Sequence, residues 1–271
     1  MELWKVIQRV ERLRWQLLKP VQSLLVGPYR STFRGEGIEF ADTRPYEVGD
    51  DWRRIHWSLT ARKNQPYLRL GQEERELTCL IAIDRSRSML IAPDKEALTL
   101  TAAVALALSA VLNGDRVRWV SFAEKVEWFS PACKGEKLIW GYLAHLWRRP
   151  VQGHRSYLSP LLQWIGAMHK RRILLVLLSD LFFHDKEGWT LLRGLSQRHF
   201  VLVIGLHSPQ EAFTPAWGYL PVREVEEGHA FISQGGTRSS LPLLASLRGT
   251  VIYSEEALLP SLREVLLPPL Q

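Results

Sequence analysis

Three short apolar runs constrain the fold of this chain more than any other feature. They are Cys79-Leu80-Ile81-Ala82-Ile83, Ile173-Leu174-Leu175-Val176-Leu177-Leu178 and Phe200-Val201-Leu202-Val203-Ile204-Gly205-Leu206. Each is bounded by polar residues and separated from the next by segments of helical period. Runs of this length read as strands buried on both faces. Strands of that kind, alternating with helices, require a mainly parallel sheet covered on both sides. Open sheets of this class bind ligands beyond the carboxyl ends of their strands, so the residues that follow each run are the first candidates for function.

The remaining segments fit this plan. A strand is predicted over 77–83. Asp94 is the expected cap of a helix running to about Leu112, apolar nearly all round and therefore buried. Asn113-Gly114-Asp115 ends it. Strands over 116–122 and 126–129 are close enough to pair as a hairpin. Helices are expected over 136–148, 160–169 and 187–197, strands over 173–178 and 200–206, another short strand at 251–253, and a last helix over 255–267. Residues 224–240 read as a polar stretch. Upstream, Leu3, Trp4, Ile7, Val10, Leu13, Leu17 and Leu18 follow a helical period, so residues 1–26 are predicted to form an amphipathic helix. Glycines at 27, 35, 37, 49 and 71 punctuate short Arg- and aromatic-rich segments, which reads as strands and turns. In this stretch Asp50 or Asp51 is placed to cap a short helical turn. The expected organisation is a helix over 1–26, a β-rich appendage over 27–75 and an α/β domain over 76–271.

Composition limits the function classes. Hydrophobic residues make up 46% and charged residues 23% of the 271 positions, ordinary for a globular chain with a sizeable core. No apolar stretch is read as reaching the roughly 18–20 residues of a membrane span; Thr99, Thr101 and Ser109 interrupt the nearest one. Met1-Glu2-Leu3-Trp4-Lys5 lacks the apolar core of a secretory signal, and the cytoplasm is the expected location. The two cysteines, Cys79 and Cys133, have neither zinc nor redox spacing, and Cys79 is expected to be a buried thiol. The formal charge of +7 would suit nucleic acid, an anionic membrane surface or an acidic protein, but the basic residues are scattered, as on a solvated surface. The eight histidines show no metal-protease spacing, and no phosphate-cradling glycine loop or nucleophile elbow occurs.

The candidate chemistry lies in Asp84-Arg85-Ser86-Arg87-Ser88. If the segment is extended, Asp84, Ser86 and Ser88 point the same way. One carboxylate and two hydroxyls are hard donors that suit Mg²⁺ or Mn²⁺. The alternative is a polar strand-to-helix turn. A second strand end carries Asp180, and the two carboxylates converge if the strands are neighbours. The loop Gly153-His154-Arg155-Ser156-Tyr157 offers a further hydroxyl before a helix. A divalent-metal phosphohydrolase using Asp84 and Asp180 is an alternative reading, but an aspartyl phosphoryl acceptor of the haloacid dehalogenase pattern needs a second Asp where Ser86 stands. Gly49-Asp50-Asp51 reads as a structural turn, since no second acidic motif accompanies it.

Asp84-x-Ser86-x-Ser88 at a strand end resembles the metal-ion-dependent adhesion site of von Willebrand factor A domains. Gly114-Asp115-Arg116-Val117-x-x-Val120-x-Phe122, the 153–158 loop and Leu177-Leu178-Ser179-Asp180 follow in the order that family shows. Upstream, Gly37-x-Glu39-Phe40, Arg44-x-Tyr46-x-x-Gly49-Asp50-Asp51-x-Arg53-x-Ile55-x-Trp57 and Ala61-Arg62 are similar to the bacterial family called domain of unknown function 58, which joins such a signature to a von Willebrand factor A-like domain. The resemblance implies an α/β, Rossmann-like fold. It also implies Mg²⁺ or Mn²⁺ held by the hydroxyls of Ser86 and Ser88, with Asp84 and Asp180 holding waters or the ion. Ser156 stands where the family usually has threonine, and His154-Arg155-Ser156 departs from its Gly-Gly-Thr form. Arg85 and Arg87 oppose a divalent cation unless they point away.

In sites of this type a partner's Asp or Glu carboxylate completes the coordination. The family's association with MoxR-type AAA+ ATPases implies an adaptor role in a chaperone-like complex. Protein–protein interaction without enzymatic turnover is the expected function, with a phosphohydrolase or a basic nucleic-acid binder as alternatives.

Overall fold

A computed structural model of the chain describes residues 8, 43–69, 77–90, 93–150, 153–183, 185–208, 219–223, 230–234 and 247–266. The predicted helix over 1–26 lies outside the described residues except at residue 8. Ten strands and seven helices occur among them. β1 (Thr43–Pro45) pairs antiparallel with β2 (Tyr67–Arg69). Between them lie a 3-10 turn (Trp52–Arg54) and α1 (Trp57–Lys63). Asp51 caps the turn by accepting from Arg53 N at 3.0 Å. Asp50 instead binds Arg44 Nη2 at 2.6 Å and Glu47 N at 2.9 Å. The acidic pair at 50–51 is thereby spent on local structure. The seven-residue helix α1 was not predicted; His56 starts it, its Nδ1 accepting from Leu59 N at 3.2 Å.

The main sheet has six strands in the order β10-β7-β6-β3-β4-β5. They are β3 (Thr78–Asp84), β4 (Arg116–Phe122), β5 (Val126–Phe129), β6 (Leu174–Ser179), β7 (Phe200–Leu206) and β10 (Arg248–Ile252). All pairs are parallel except the β4–β5 hairpin. This is the α/β, Rossmann-like architecture expected from the sequence: a mainly parallel sheet between helical layers. β8 (Tyr219–Arg223) and β9 (Ala230–Gln234) form a separate antiparallel pair, which corrects the reading of 224–240 as merely polar. Ala230-Phe231-Ile232 lies within that stretch, and its few apolar residues were outweighed by the glycines, serines and charges around it.

Side-chain alternation divides the core in two. Cys79, Ile81 and Ile83 face α3 (Pro93–Leu112), α4 (Glu136–Arg148) and α7 (Glu255–Leu266). Leu80 and Ala82 face α5 (Leu158–Met168) and α6 (Lys186–Arg198). Cys79 and Cys133 are buried and unpaired with each other. Burial, with Asp115 nearby, pushes the Cys79 thiol well up. α3 begins at Pro93, so Asp94 stands inside its first turn and is not the cap; proline is pre-organised for a first helical position.

Within α3, Lys95–Leu112 is long and apolar enough to cross a membrane, and 83% of it is buried inside the fold. The length expectation is corrected here. The hydroxyls do not interrupt the apolar run, because Thr99 Oγ1 donates to Lys95 O at 2.7 Å and Thr101 Oγ1 to Ala97 O at 2.9 Å. Both threonine hydroxyls are thus satisfied four residues back, whereas Ser109 Oγ is buried with no hydrogen-bond partner among the described residues.

Candidate functional site

The chain order turns back at β3. From β3 it passes to β4 on one side, then returns past β3 to β6, β7 and β10 on the other. The crevice at such a switch point is where an open sheet presents a site. β3 and β6 are neighbours with Ile83 opposite Leu178, so Asp84 and the 179–180 pair emerge side by side.

Asp84 is buried and fully engaged. Its Oδ1 accepts from Ser86 N at 2.8 Å. Its Oδ2 accepts from Ser156 Oγ at 2.7 Å and from Ser179 Oγ at 2.6 Å. Burial, and after it the charge of Asp180, push the Asp84 carboxyl up to about 6 against the opposing pull of these three donors. The Asp84–Ser88 segment is not extended throughout: Asp84 closes a turn on Ser86 N, and α2 (Arg87–Leu90) follows at once. The two serine hydroxyls still meet, with Ser86 Oγ 3.1 Å from Ser88 Oγ. The turn reading and the clustering of the donors are therefore both right.

Arg85 points away. Its guanidinium donates to Leu146 O at 2.7 Å and Arg149 O at 3.0 Å, closing the carboxyl end of α4, where a cation is favoured. Arg87 is exposed, and its backbone N–H binds His154 O at 3.3 Å.

Ser156 reaches Asp84 because its loop is clamped to the β4–β5 hairpin. Gly153 N donates to Glu127 Oε1 at 3.0 Å and Tyr157 N to Ala123 O at 3.0 Å. A Cβ on Gly153 would stand 2.3 Å from that of Ala123, so only glycine allows this approach. The helix after the loop, α5, is capped from a distance: Asp185 accepts from Leu158 N at 2.8 Å and Ser159 N at 2.6 Å.

Asp180 faces the other side. Its Oδ2 accepts from Lys95 Nζ at 2.9 Å and its Oδ1 from Phe182 N at 3.2 Å. Lys95 Nζ also donates to Ser88 O at 3.3 Å. Both side chains are essentially inaccessible, at 1% and 0%. Strand alternation explains the division. Ser179 joins Asp84 on the face of α5, whereas Asp180 turns to the face of α3 and meets Lys95. Between Asp180 and Phe182, Leu181 is buried with a positive φ of 66°, a strained conformation for a branched side chain. Beyond it Phe182, His207 and Tyr253 form a row of ring contacts, each centroid pair 5.6 Å apart, across the ends of β6, β7 and β10.

All five sequence-predicted residues, Asp84, Ser86, Ser88, Ser156 and Asp180, are thus drawn into one neighbourhood. Two others were missed. Ser179 was quoted as part of a strand end but given no role. Lys95 was given no role, yet it carries a readable signal. With Leu98, Thr99 and Ala102 it lies on the stripe of α3 that a helix of this period must bury.

The donor set offers a divalent ion oxygen atoms but the wrong balance of charge. The hydroxyls of Ser156 and Ser179 keep lone pairs while donating to Asp84, and those of Ser86 and Ser88 keep lone pairs while bonded to each other, so oxygen ligands are present. The charge does not fit. Lys95 already supplies a cation to Asp180, and a divalent ion would leave the two carboxylates and the ammonium with a net positive charge in a buried place. Among the described residues no three His, Cys, Asp or Glu side chains form a metal-binding group. A cavity of about 30 Å³ bordered by Asp84, Glu96, Thr99 and Trp147 has room for one or two waters.

Comparison with known proteins places these features in context. The chain is similar to the crystal structure of an aerotolerance-related membrane protein from Bacteroides fragilis, with 15% identity, a TM-score of 0.47, and coverage of 70% of this chain and 98% of that one. BatB from Bacteroides thetaiotaomicron gives 13% identity and a TM-score of 0.47 over 70% and 96% of the two chains. A von Willebrand factor type A protein from Catenulispora acidiphila gives 14% and 0.43 over 70% and 42%. Uncharacterized proteins of Mycobacterium tuberculosis and Mycobacterium bovis are 26% identical over 230 residues, 83% of this chain and 72% of theirs. The family described as protein of unknown function DUF58 matches residues 42–238, and the chain belongs to it.

Proposed function

We propose that this chain is a protein-interaction module, an adaptor that grips a partner at the carboxyl edge of its sheet around Asp84, Ser86 and Ser88. The observation that carries the reading is the assembly of Asp84, Ser86, Ser88, Ser156 and Asp180 at the switch point from three segments distant in sequence. Exposed Arg87, between the two serines, and the overall charge of +7 favour a partner segment bearing Asp or Glu, through charge complementarity. The resemblance to the family points to a MoxR-type AAA+ ATPase as that partner, in a chaperone-like complex.

The test uses a purified MoxR-type ATPase from the same organism in a pull-down with wild type, Ser86→Ala and Arg87→Glu, in the presence of Mg²⁺ and in EDTA. At least tenfold weaker capture by Arg87→Glu, with the fold intact by circular dichroism, is expected. Equal capture by all three proteins would remove this edge as the contact. Mg²⁺-dependent phosphatase turnover abolished by Asp84→Ala would favour the hydrolase reading instead.

A further inference from the structure

We infer that Lys95 is a built-in cation that takes the place of a divalent ion, so that the Asp84–Asp180 centre is held together without metal. The inference builds on the reading of this edge as the working site.

Lysine is among the residues least often buried, and when buried it is paired. Lys95 is 1% exposed, although its long stem would let most lysines reach water. It also sits in the first turn of the 20-residue helix α3, where the helix dipole disfavours a positive charge. Two costs therefore oppose this residue at this position, and its bond to Asp180 at 2.9 Å offsets them. The ammonium also does the mechanical work of an ion. By binding Asp180 Oδ2 and Ser88 O together, it ties the segment after β3 to the end of β6. Those are the two segments that a metal shared by Ser86, Ser88 and Asp180 would join. A tethered monovalent cation leaves Asp84 to its three internal donors, and a second, divalent charge would meet the ammonium at close range in a medium that screens poorly.

The consequence is an inversion of the usual metal test. Wild type is silent to divalent ions, and removal of the lysine creates a metal site. Thermal unfolding of the full chain is followed across MgCl₂ and MnCl₂ titrations, with NaCl at matched ionic strength as the control. The proteins are wild type, Lys95→Ala, and Lys95→Ala combined with Asp180→Asn. Wild type is expected to show no saturable rise in Tm. Lys95→Ala is expected to gain one, because ions that bind only the folded state stabilise it, with Mn²⁺ bound at least tenfold more tightly than by wild type. The added Asp180→Asn abolishes the gain. If Lys95→Ala does not fold, Lys95→Gln carries the same test with the stem retained. A saturable ion-dependent rise in wild type that Asp84→Ala removes would overturn the inference, as would a folded Lys95 variant that gains no ion binding. No partner enters this experiment, so its outcome is independent of the pull-down: metal in wild type would leave the interaction reading standing, and loss of that reading would leave the tethered cation standing.

Discussion

Lys95 and Asp180, 85 residues apart in sequence, meet as a fully buried ion pair at 2.9 Å. Each partner is essentially inaccessible to water, so neither charge has a good alternative if the other is lost.

Removing one partner should therefore be far worse than removing both. Lys95→Met or Asp180→Asn alone is expected to cost about 3–5 kcal/mol, the usual penalty for stranding a buried charge. The double variant should recover most of that loss. Urea denaturation of the four proteins checks this, and strictly additive losses would show that the two side chains do not act as a pair.

Glycine substitutions separate the loop that carries Ser156 from ordinary helix positions. Gly153→Ala drives a Cβ to 2.3 Å from that of Ala123, and is expected to cost about 1–3 kcal/mol through overpacking. Gly141→Ala, in α4 with nothing within 4 Å of the new Cβ, is expected to raise stability by about 0.4–1 kcal/mol. Thermal melts of both variants check the contrast in sign.

The cap supplied by Asp185 predicts a local loss. Asp185→Ala leaves the first two N–H groups of α5 without their carboxylate, and should cost about 0.5–2 kcal/mol. Hydrogen exchange should quicken at Leu158 and Ser159, whose N–H groups bind Asp185. Unchanged exchange at those two amides would show that water replaces the cap without loss.

His169 sets a pH dependence. Burial, and then the charges of Arg118 and His199, lower its pKa from 6.5 to about 4. The folded state thus disfavours the proton that the unfolded chain accepts. Above about 6.5 both states are neutral and the group contributes no pH dependence. As pH falls from 6.5 towards 4 the unfolded chain takes up the proton first and stability is lost. Subtracting the stability–pH curve of His169→Gln from that of wild type should isolate this slope, and a flat difference would show that the ring is solvated when folded.

Much of the sheet was legible because its strands are buried on both faces. Residues 116–122, 126–129 and 200–206 appear as strands at the expected positions, since continuous β-branched and leucine-rich runs have few other uses. Helix starts were read less well. α5 begins at Leu158, earlier than expected, because its cap is Asp185, 27 residues away, and no local signal marks it. α1 and the β8–β9 pair were missed because their patterns are short and mixed. In the site, oxygen donors announced themselves by alternation around a strand end. Lys95 did not, because a lysine two residues after a proline at a helix start looks like solvated charge until the buried stripe of that helix is traced through it.

The switch point also bears on the order of folding. Asp84 depends on donors 72 and 95 residues away, and Lys95 on an acceptor 85 away. Contacts of such range are entropically costly to close and come late in folding. The centre thus cannot form in a nascent chain that stops short of β6, nor in a partly folded one in which β6 has not docked beside β3. A centre completed only by contacts of this range is present in the finished fold or not at all.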